Sequence, residues 1–400
     1  MMTIGRITNS LTPSEKSENS DIAAHKNGDM IPITDSLTCP TCHSKEFVKR
    51  GFKYKLREKI QLYKCVKCKK TFSEQTTKGK HYPLNIILKS ISDYNLGHSA
   101  EEVANIVGSR ENQMLNPETI REWVKEFKSY CPFSRMREFA IKKYSPDQMI
   151  INATLAHRQL YRFSYHRAKC RLIIEEDYKH YRFRPLQEFL ELVPAECPHQ
   201  YFQIGERASE TPIKFSKKLM IVRAKENFAN KICEFVLPSA SSRKNRHSTL
   251  QEFMLKNDSV TVACEVPVYL TKDDILHMKS QLGFEVDETA LKDCKQITGH
   301  IDILQIRNGQ IHILDFKPKA EKERPIEQLT LYAMALSRLT GLRLFEFKCA
   351  WFDEKDYFEF YPLHVLHKPK KAAGRRKIRT IEGTYLVNKV AEKMERIRPA

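Results

Sequence analysis

No apolar run in the sequence approaches the roughly 20 residues that a membrane-spanning helix needs; the longest, such as Leu331 to Leu336, are short. The N-terminal stretch has no hydrophobic core of a signal peptide, so secretion is not expected and a prokaryotic cytosol or nucleoid is. Internal repeats are missing, which argues against a solenoid. A disulfide framework is not expected either. The 11 Cys are odd in number; four fall into two CxxC pairs and the rest are scattered, a usage that fits metal ligation and reduced thiols.

Acidic residues are also in short supply, 49 against 68 Lys and Arg, for a formal charge of +19. A surplus of this size favours a polyanionic partner, because Lys and Arg neutralise phosphates. At 400 residues the chain exceeds one ordinary core. Composition divides it into a polar tail at 1–36, expected to be disordered, a Cys-bearing module at 37–78 and a helical module at 79–130. A helical connector at 131–203, a strand-rich α/β domain at 204–366 and a basic tail at 367–400 follow. The tail carries Lys368, Lys370, Lys371, Arg375, Arg376, Lys377 and Arg379, and reads either as a phosphate-binding or as a solubilising segment.

Cys39-Pro-Thr-Cys42 and Cys65-Val-Lys-Cys68 each form a knuckle that aims two thiolates at one point. Together they supply the four soft ligands of a closed tetrahedral Zn²⁺ site, structural because the metal is saturated. Short strands are expected around Phe47–Gly51 and Gln61–Lys64. Between Lys45 and Lys80 stand thirteen Lys or Arg and three Glu, a charge suited to a nucleic-acid backbone. The phrase from Lys64 to Phe72 resembles the zinc ribbons that open many insertion-sequence transposases.

Ser99-Ala-Glu-Glu102 is a capping box that opens a helix bearing Val103, Ile106 and Val107. Asn116-Pro117 starts another, with Ile120, Trp123, Val124 and Phe127 on one face. Arg121, Lys125 and Lys128 lie off that face. With an upstream helix from Pro83 to about Tyr94, the three resemble the helix-turn-helix of transposase-like proteins; a packing bundle is the alternative. From His157 to Arg184, Tyr161, Tyr165, Ala168 and Leu172 fall on one helical stripe. Arg158, Arg162, His166 and Lys169 fall on another, either following phosphates or simply solvated.

The chemistry is concentrated between Gly299 and Lys317. Asn308-Gly309 between β-branched runs signals a tight hairpin. With these two as its loop, Arg307 pairs with Gln310, and counting outward places Asp302 opposite Asp315 on one face. Lys317, two residues on, shares that face. Two opposed carboxylates at the end of a buried hairpin repel unless a cation lies between them, which points to a hard divalent ion. Lys317 can then act on a phosphate, or only pair with Asp315 as a salt-bridged rim.

Asp302, then Asp315-Phe316-Lys317, then Gln328-Leu-Thr-Leu-Tyr332 resembles the PD-(D/E)XK superfamily, and the QxxxY ending its RecB-like branch. The resemblance spans roughly His247 to Leu339. It implies a restriction-endonuclease-like α/β/α domain with a mixed sheet, so that the whole chain is an α/β multidomain protein with an N-terminal zinc ribbon and helical module. It also implies phosphodiester hydrolysis with Mg²⁺ or Mn²⁺ held by Asp302, Asp315 and an upstream His, for which His247 is the candidate; a His ligand tilts the choice towards Mn²⁺. Glu265 would assist, and Gln328 and Tyr332 would contact DNA or support the site. His247 and Glu265 can equally be solvated surface residues, and Tyr332 a core residue. The iron–sulfur cluster of the CRISPR nucleases in this branch is not expected, since only Cys349 follows Tyr332. The alternative to a nuclease is a DNA-binding protein of mobile-element origin with an inactive nuclease-like domain. Neither oligomeric state nor DNA against RNA is legible.

Overall fold

The computed structural model describes residues 37–54, 59–73, 80–111, 114–176, 178–215, 217, 222–286 and 296–366, and the strands within 376–397. The 1–36 tail and Lys368, Lys370, Lys371 and Arg375 lie outside them. The chain forms two units, 1–75 and 76–400.

In the first unit β1 (Phe47–Tyr54), β2 (Lys59–Cys65) and β3 (Thr71–Ser73) form an antiparallel sheet in the order β1-β2-β3. The pairing slips between Lys49 and Gly51. Gly51 has φ +100°, a backbone conformation open to glycine and strained for other residues. Phe47 meets Tyr63 and Phe72 edge-on at 5.2 and 5.6 Å. These rings and the four cysteines are nearly all the core that this module has.

The second unit is built on a mixed nine-stranded sheet. Its strands are β4 (Ile151–His157), β5 (Gln159–Tyr165), β6 (Glu206–Arg207), β7 (Arg223–Ala224), β8 (Thr261–Thr271), β9 (Gln296–Arg307), β10 (Gln310–Phe316), β11 (Phe347–Phe352) and β12 (Tyr357–Phe360). They run in the order β4-β5-β8-β9-β10-β11-β12-β7, with β6 beside β9. All neighbours along this path are antiparallel except β10 and β11, which are joined by the helix Ile326–Thr340 and pair in parallel, as a strand–helix–strand crossover requires. A separate antiparallel sheet of β13 (Arg376–Thr380), β14 (Gly383–Val387) and β15 (Met394–Ile397) runs through the segment expected to be a basic tail.

Both sheet faces are covered. The helices Ile326–Thr340 and Arg184–Glu196 share one core with Val266, Ile301 and Ile313. On the other face Ile303, Leu314, Phe316 and Phe352 share a core with the helices Phe228–Val236 and Arg246–Asn257. The helices Leu84–Asn95, Ala100–Glu111 and Pro117–Glu126 join that same core. The expected three-helix module is therefore part of the sheet domain and not a separate body. Its caps form as read: Ser99 and Glu102 exchange bonds of 2.8 and 3.1 Å, and Asn116 caps Glu118. Ile120 and Trp123 turn into the core. Arg121, expected to be available to DNA, pairs with Glu101 and Glu118.

The helical stripes expected from His157 are corrected by the structure, because that segment opens as the β4–β5 hairpin with Arg158 at φ +57° in its turn. Tyr161 and Tyr165 stand four residues apart, a spacing that puts side chains on one side in a strand as well as in a helix. The strand pattern of buried Phe163 and Tyr165 against exposed Arg162 decides the matter. Among the described residues no helix is long and apolar enough to cross a membrane.

Candidate active site

Asn308 and Gly309, at φ 51° and 71°, both adopt the left-handed conformation that a type I′ turn demands. Arg307 pairs with Gln310 and the register runs to Ile303 opposite Leu314; Asp302 and Asp315 follow directly beyond that last pair. Across the other edge of β9, Cys264 pairs with Ile303 and Val266 with Ile301, which sets Glu265 opposite Asp302. Three neighbouring strands thus bring Glu265, Asp302 and Asp315 close together, the Asp302 charge acting on both of the others. Glu265 interrupts β8 with φ +52°, a conformation that costs about 1–3 kcal/mol in a non-glycine residue.

The helix Arg246–Asn257 lies against β8 and delivers two side chains at i and i+4. His247 Nε2 is 2.6 Å from Asp302 Oδ2. Gln251 Nε2 donates to Glu265 Oε1 at 2.7 Å and to the Asp302 carbonyl at 3.1 Å. Gln251 escaped the sequence reading; its signal was the one-turn spacing from His247. The three-helix layer braces this helix from behind, since Asn257 donates to Ser92 and Asn95 donates to Asn257, both at 2.8 Å.

Asp302 Oδ2 also accepts from the Phe316 amide at 3.2 Å. Lys317 Nζ pairs with Asp315 Oδ2 at 3.0 Å, and the Lys317 amide is fixed to the Phe352 carbonyl at 2.9 Å. Burial opposes the Asp302 charge, but the His247 imidazole and its hydrogen bond outweigh it and hold the carboxyl at about 2. Burial likewise opposes the His247 charge; Asp302 outweighs it and lifts the imidazole to about 9. Burial and then Asp302 push Glu265 up to about 7 and Asp315 well above the usual carboxylate range. Such spreading of carboxylate pKa values is common where acids converge at reactive sites.

Gln328 donates to the Tyr332 hydroxyl at 3.0 Å. The Tyr332 ring lies over Gly299, where an added Cβ would fall 2.2 Å from it. Among the described residues neither Gln328 nor Tyr332 hydrogen-bonds a carboxylate of the row.

Three hard carboxylates with one imidazole form a donor set suited to a divalent cation. Asp315 Oδ2 is buried with Lys317 Nζ as its charged partner, and a carboxylate has lone pairs beyond that contact with which to coordinate. In the other unit, Cys39 Sγ lies 3.5 Å from Cys68 Sγ and Cys42 Sγ 3.5 Å from Cys65 Sγ. All four sulfurs fall within 4.8 Å of one another. A zinc tetrahedron with bonds near 2.3 Å has edges of about 3.8 Å, so these thiols could bind zinc.

Residues 213–382 match the family model of the PD-(D/E)XK nuclease superfamily. No curated protein and no solved structure matches the chain. Residues 213–382 are thus similar to a domain of that superfamily, whose members are in general hydrolytic nucleases that use divalent metals. The match includes His247, Glu265, Asp302, Asp315, Lys317, Gln328 and Tyr332. The ribbon, the three-helix layer and the β4–β5 hairpin lie outside it.

Proposed function

We propose that the protein is a divalent-metal-dependent nuclease that hydrolyses phosphodiester bonds in DNA, of the RecB-like branch. The observation that carries this reading is the row Glu265–Asp302–Asp315 across β8, β9 and β10, with Lys317 at its end. His247, Glu265, Asp302 and Asp315 would hold Mg²⁺ or Mn²⁺, which when bound supplies charge against the phosphate and acidifies water. Lys317 offers its ammonium to the charge that grows on the phosphate oxygens. Gln251 holds Glu265 Oε1; beside a bound cation Glu265 would be ionised, and its Oε2 would take a proton from the attacking water.

The ribbon is proposed to hold a structural Zn²⁺ and to grip the backbone. Its β1 exposes Lys49, Arg50 and Lys53 together with Phe52 and Tyr54, a mixture of charge for phosphates and rings for bases. The test is cleavage of plasmid, linear duplex, single-stranded DNA and RNA with Mg²⁺, Mn²⁺ or chelator. Metal-dependent cleavage of DNA supports the reading. Absence of cleavage on every substrate overturns it in favour of a non-catalytic DNA-binding protein.

A further inference from the structure

Away from the carboxylate row, a second set of ligand-type side chains converges where β4 ends. His157 closes that strand, Cys197 follows the helix Arg184–Glu196, and His199 opens the helix His199–Ile204. His157 Nε2 lies 2.8 Å from His199 Nδ1 and 3.8 Å from Cys197 Sγ. The three ligand atoms all fall within 4.8 Å of one another. Among the described residues Cys197 Sγ and His199 Nδ1 have no other hydrogen-bond partner.

We propose that His157, Cys197 and His199 form a zinc site, separate from the ribbon and from the carboxylate row. Zinc bonds of about 2.0–2.1 Å to nitrogen and 2.3 Å to sulfur give tetrahedral edges of roughly 3.4 Å between nitrogens and 3.6 Å between nitrogen and sulfur. The observed 2.8 and 3.8 Å bracket these values, so small side-chain shifts suffice. Two imidazoles and a thiolate are a borderline-soft set that suits zinc and is a poor home for Mg²⁺.

The partners behind the ligands are in place. His157 Nδ1 is 2.8 Å from His300 Nε2. Coordination through Nε2 leaves the proton on Nδ1, which donates to His300 and fixes the tautomer, the usual arrangement behind a metal-bound histidine. Phe202 stacks on His157 at 4.0 Å and Tyr161 on His300 at 3.5 Å, so neither ring turns freely.

The backbone that carries the site is tied down as well. Gln203 Nε2 donates to the Ala156 carbonyl at 2.6 Å, and Arg158 Nε to the Gln203 carbonyl at 3.0 Å. A Cβ on Gly205 would fall 2.7 Å from Thr298, so the helix end packs tightly on β9. Three protein ligands, with His199 exposed and Cys197 half-buried, leave a fourth position to water. A metal there would pin the end of β4 and residues 197–199 to β9 through His300, two residues from Asp302.

The test is the zinc content of the full chain grown with zinc and then desalted, for wild type, His199→Ala and Cys197→Ala. Each variant is expected to carry one zinc equivalent per chain less than wild type. Cobalt reconstitution of Cys39→Ala/Cys65→Ala, which lacks a thiol in each ribbon knuckle, should give a thiolate-to-cobalt band that Cys197→Ala removes. His199 is exposed and its replacement should fold, so it decides the matter if Cys197→Ala does not. Equal zinc in wild type and His199→Ala, or a cobalt band indifferent to Cys197, overturns the proposal.

Discussion

A Cβ atom on Gly299 would fall 2.2 Å from the ring of Tyr332 and 2.7 Å from its hydroxyl. The helix Ile326–Thr340 therefore rests on β9 through a ring seated where only hydrogen fits, three residues from Asp302. Gly299→Ala is expected to cost about 1–3 kcal/mol, as overpacking does. Because the two residues touch, Gly299→Ala/Tyr332→Leu should lose less than the single losses added. Denaturant unfolding of the four proteins measures this; strict additivity would falsify the seat.

Gln251 bridges Glu265 and the Asp302 carbonyl. Gln251→Leu removes the hydrogen bond that holds the Glu265 carboxyl at a strained backbone position. Cleavage should fall about 10–100-fold, the usual cost of losing a partner behind a metal-site ligand, while DNA affinity stays level. Affinity falling in step with cleavage would show that Gln251 acts on binding instead.

In the cation-free protein His247 is held up to about 9 and Glu265 to about 7. A cation must displace these protons, so its affinity should rise with pH across 7–9. Calorimetry in buffers of different ionisation enthalpy should show proton release, and a buffer-independent heat would contradict this. The sign for stability is opposite. His247 is raised above its ordinary 6.5, so its contribution is complete below 6.5 and is lost as pH rises through 9. Asp302 is depressed to about 2, so its contribution is present above 3.8 and lost as pH falls through 2. Cation-free protein should thus melt lower at pH 9.5 than at pH 6, and a bound cation should shrink the difference.

The hairpin was legible because its turn is local: Asn-Gly names the conformation, and the register then follows by counting. The two CxxC knuckles are local in the same way. What escaped depends on distance along the chain. Amphipathic faces on the helices around Val103 and Ile120 announce that they pack, but not that they pack on Ile303 and Phe316. Tyr161 and Tyr165 satisfied both periodicities, so β5 passed for a helix. His157, Cys197 and His199 meet only after a hairpin and a helix fold back, and no spacing rule joins residues 40 apart.

Thirteen Lys or Arg stand between Lys45 and Lys80, most of them in the cysteine-bearing unit, so DNA affinity should fall steeply with salt. Cys65→Ala in the full chain should release zinc, weaken binding and flatten that slope, while the main melting transition persists because the second unit has its own core. An unchanged slope would assign the phosphate contacts elsewhere, and a slope lowered by removing 367–400 would place them in that segment.

Asp315 is the residue whose loss should separate folding from chemistry most sharply. Its carboxyl is buried, beside Asp302, and held well above the usual range. A folded pKa raised above the unfolded one means that ionisation at neutral pH works against the fold. Asp315→Asn should therefore melt at or above wild type, yet cleave at least about 100-fold more slowly, because a neutral amide is a poor anchor for a hard cation. Lys317→Ala should lose a similar factor by a different route, since the ammonium acts on phosphate charge; cation affinity should persist or rise as Asp315 is released from its ion pair. Parallel cleavage, melting and Mn²⁺-titration measurements on the two variants distinguish these routes. Cleavage that survives chelator, or that is equal in Asp315→Asn, would move the activity out of this row of carboxylates.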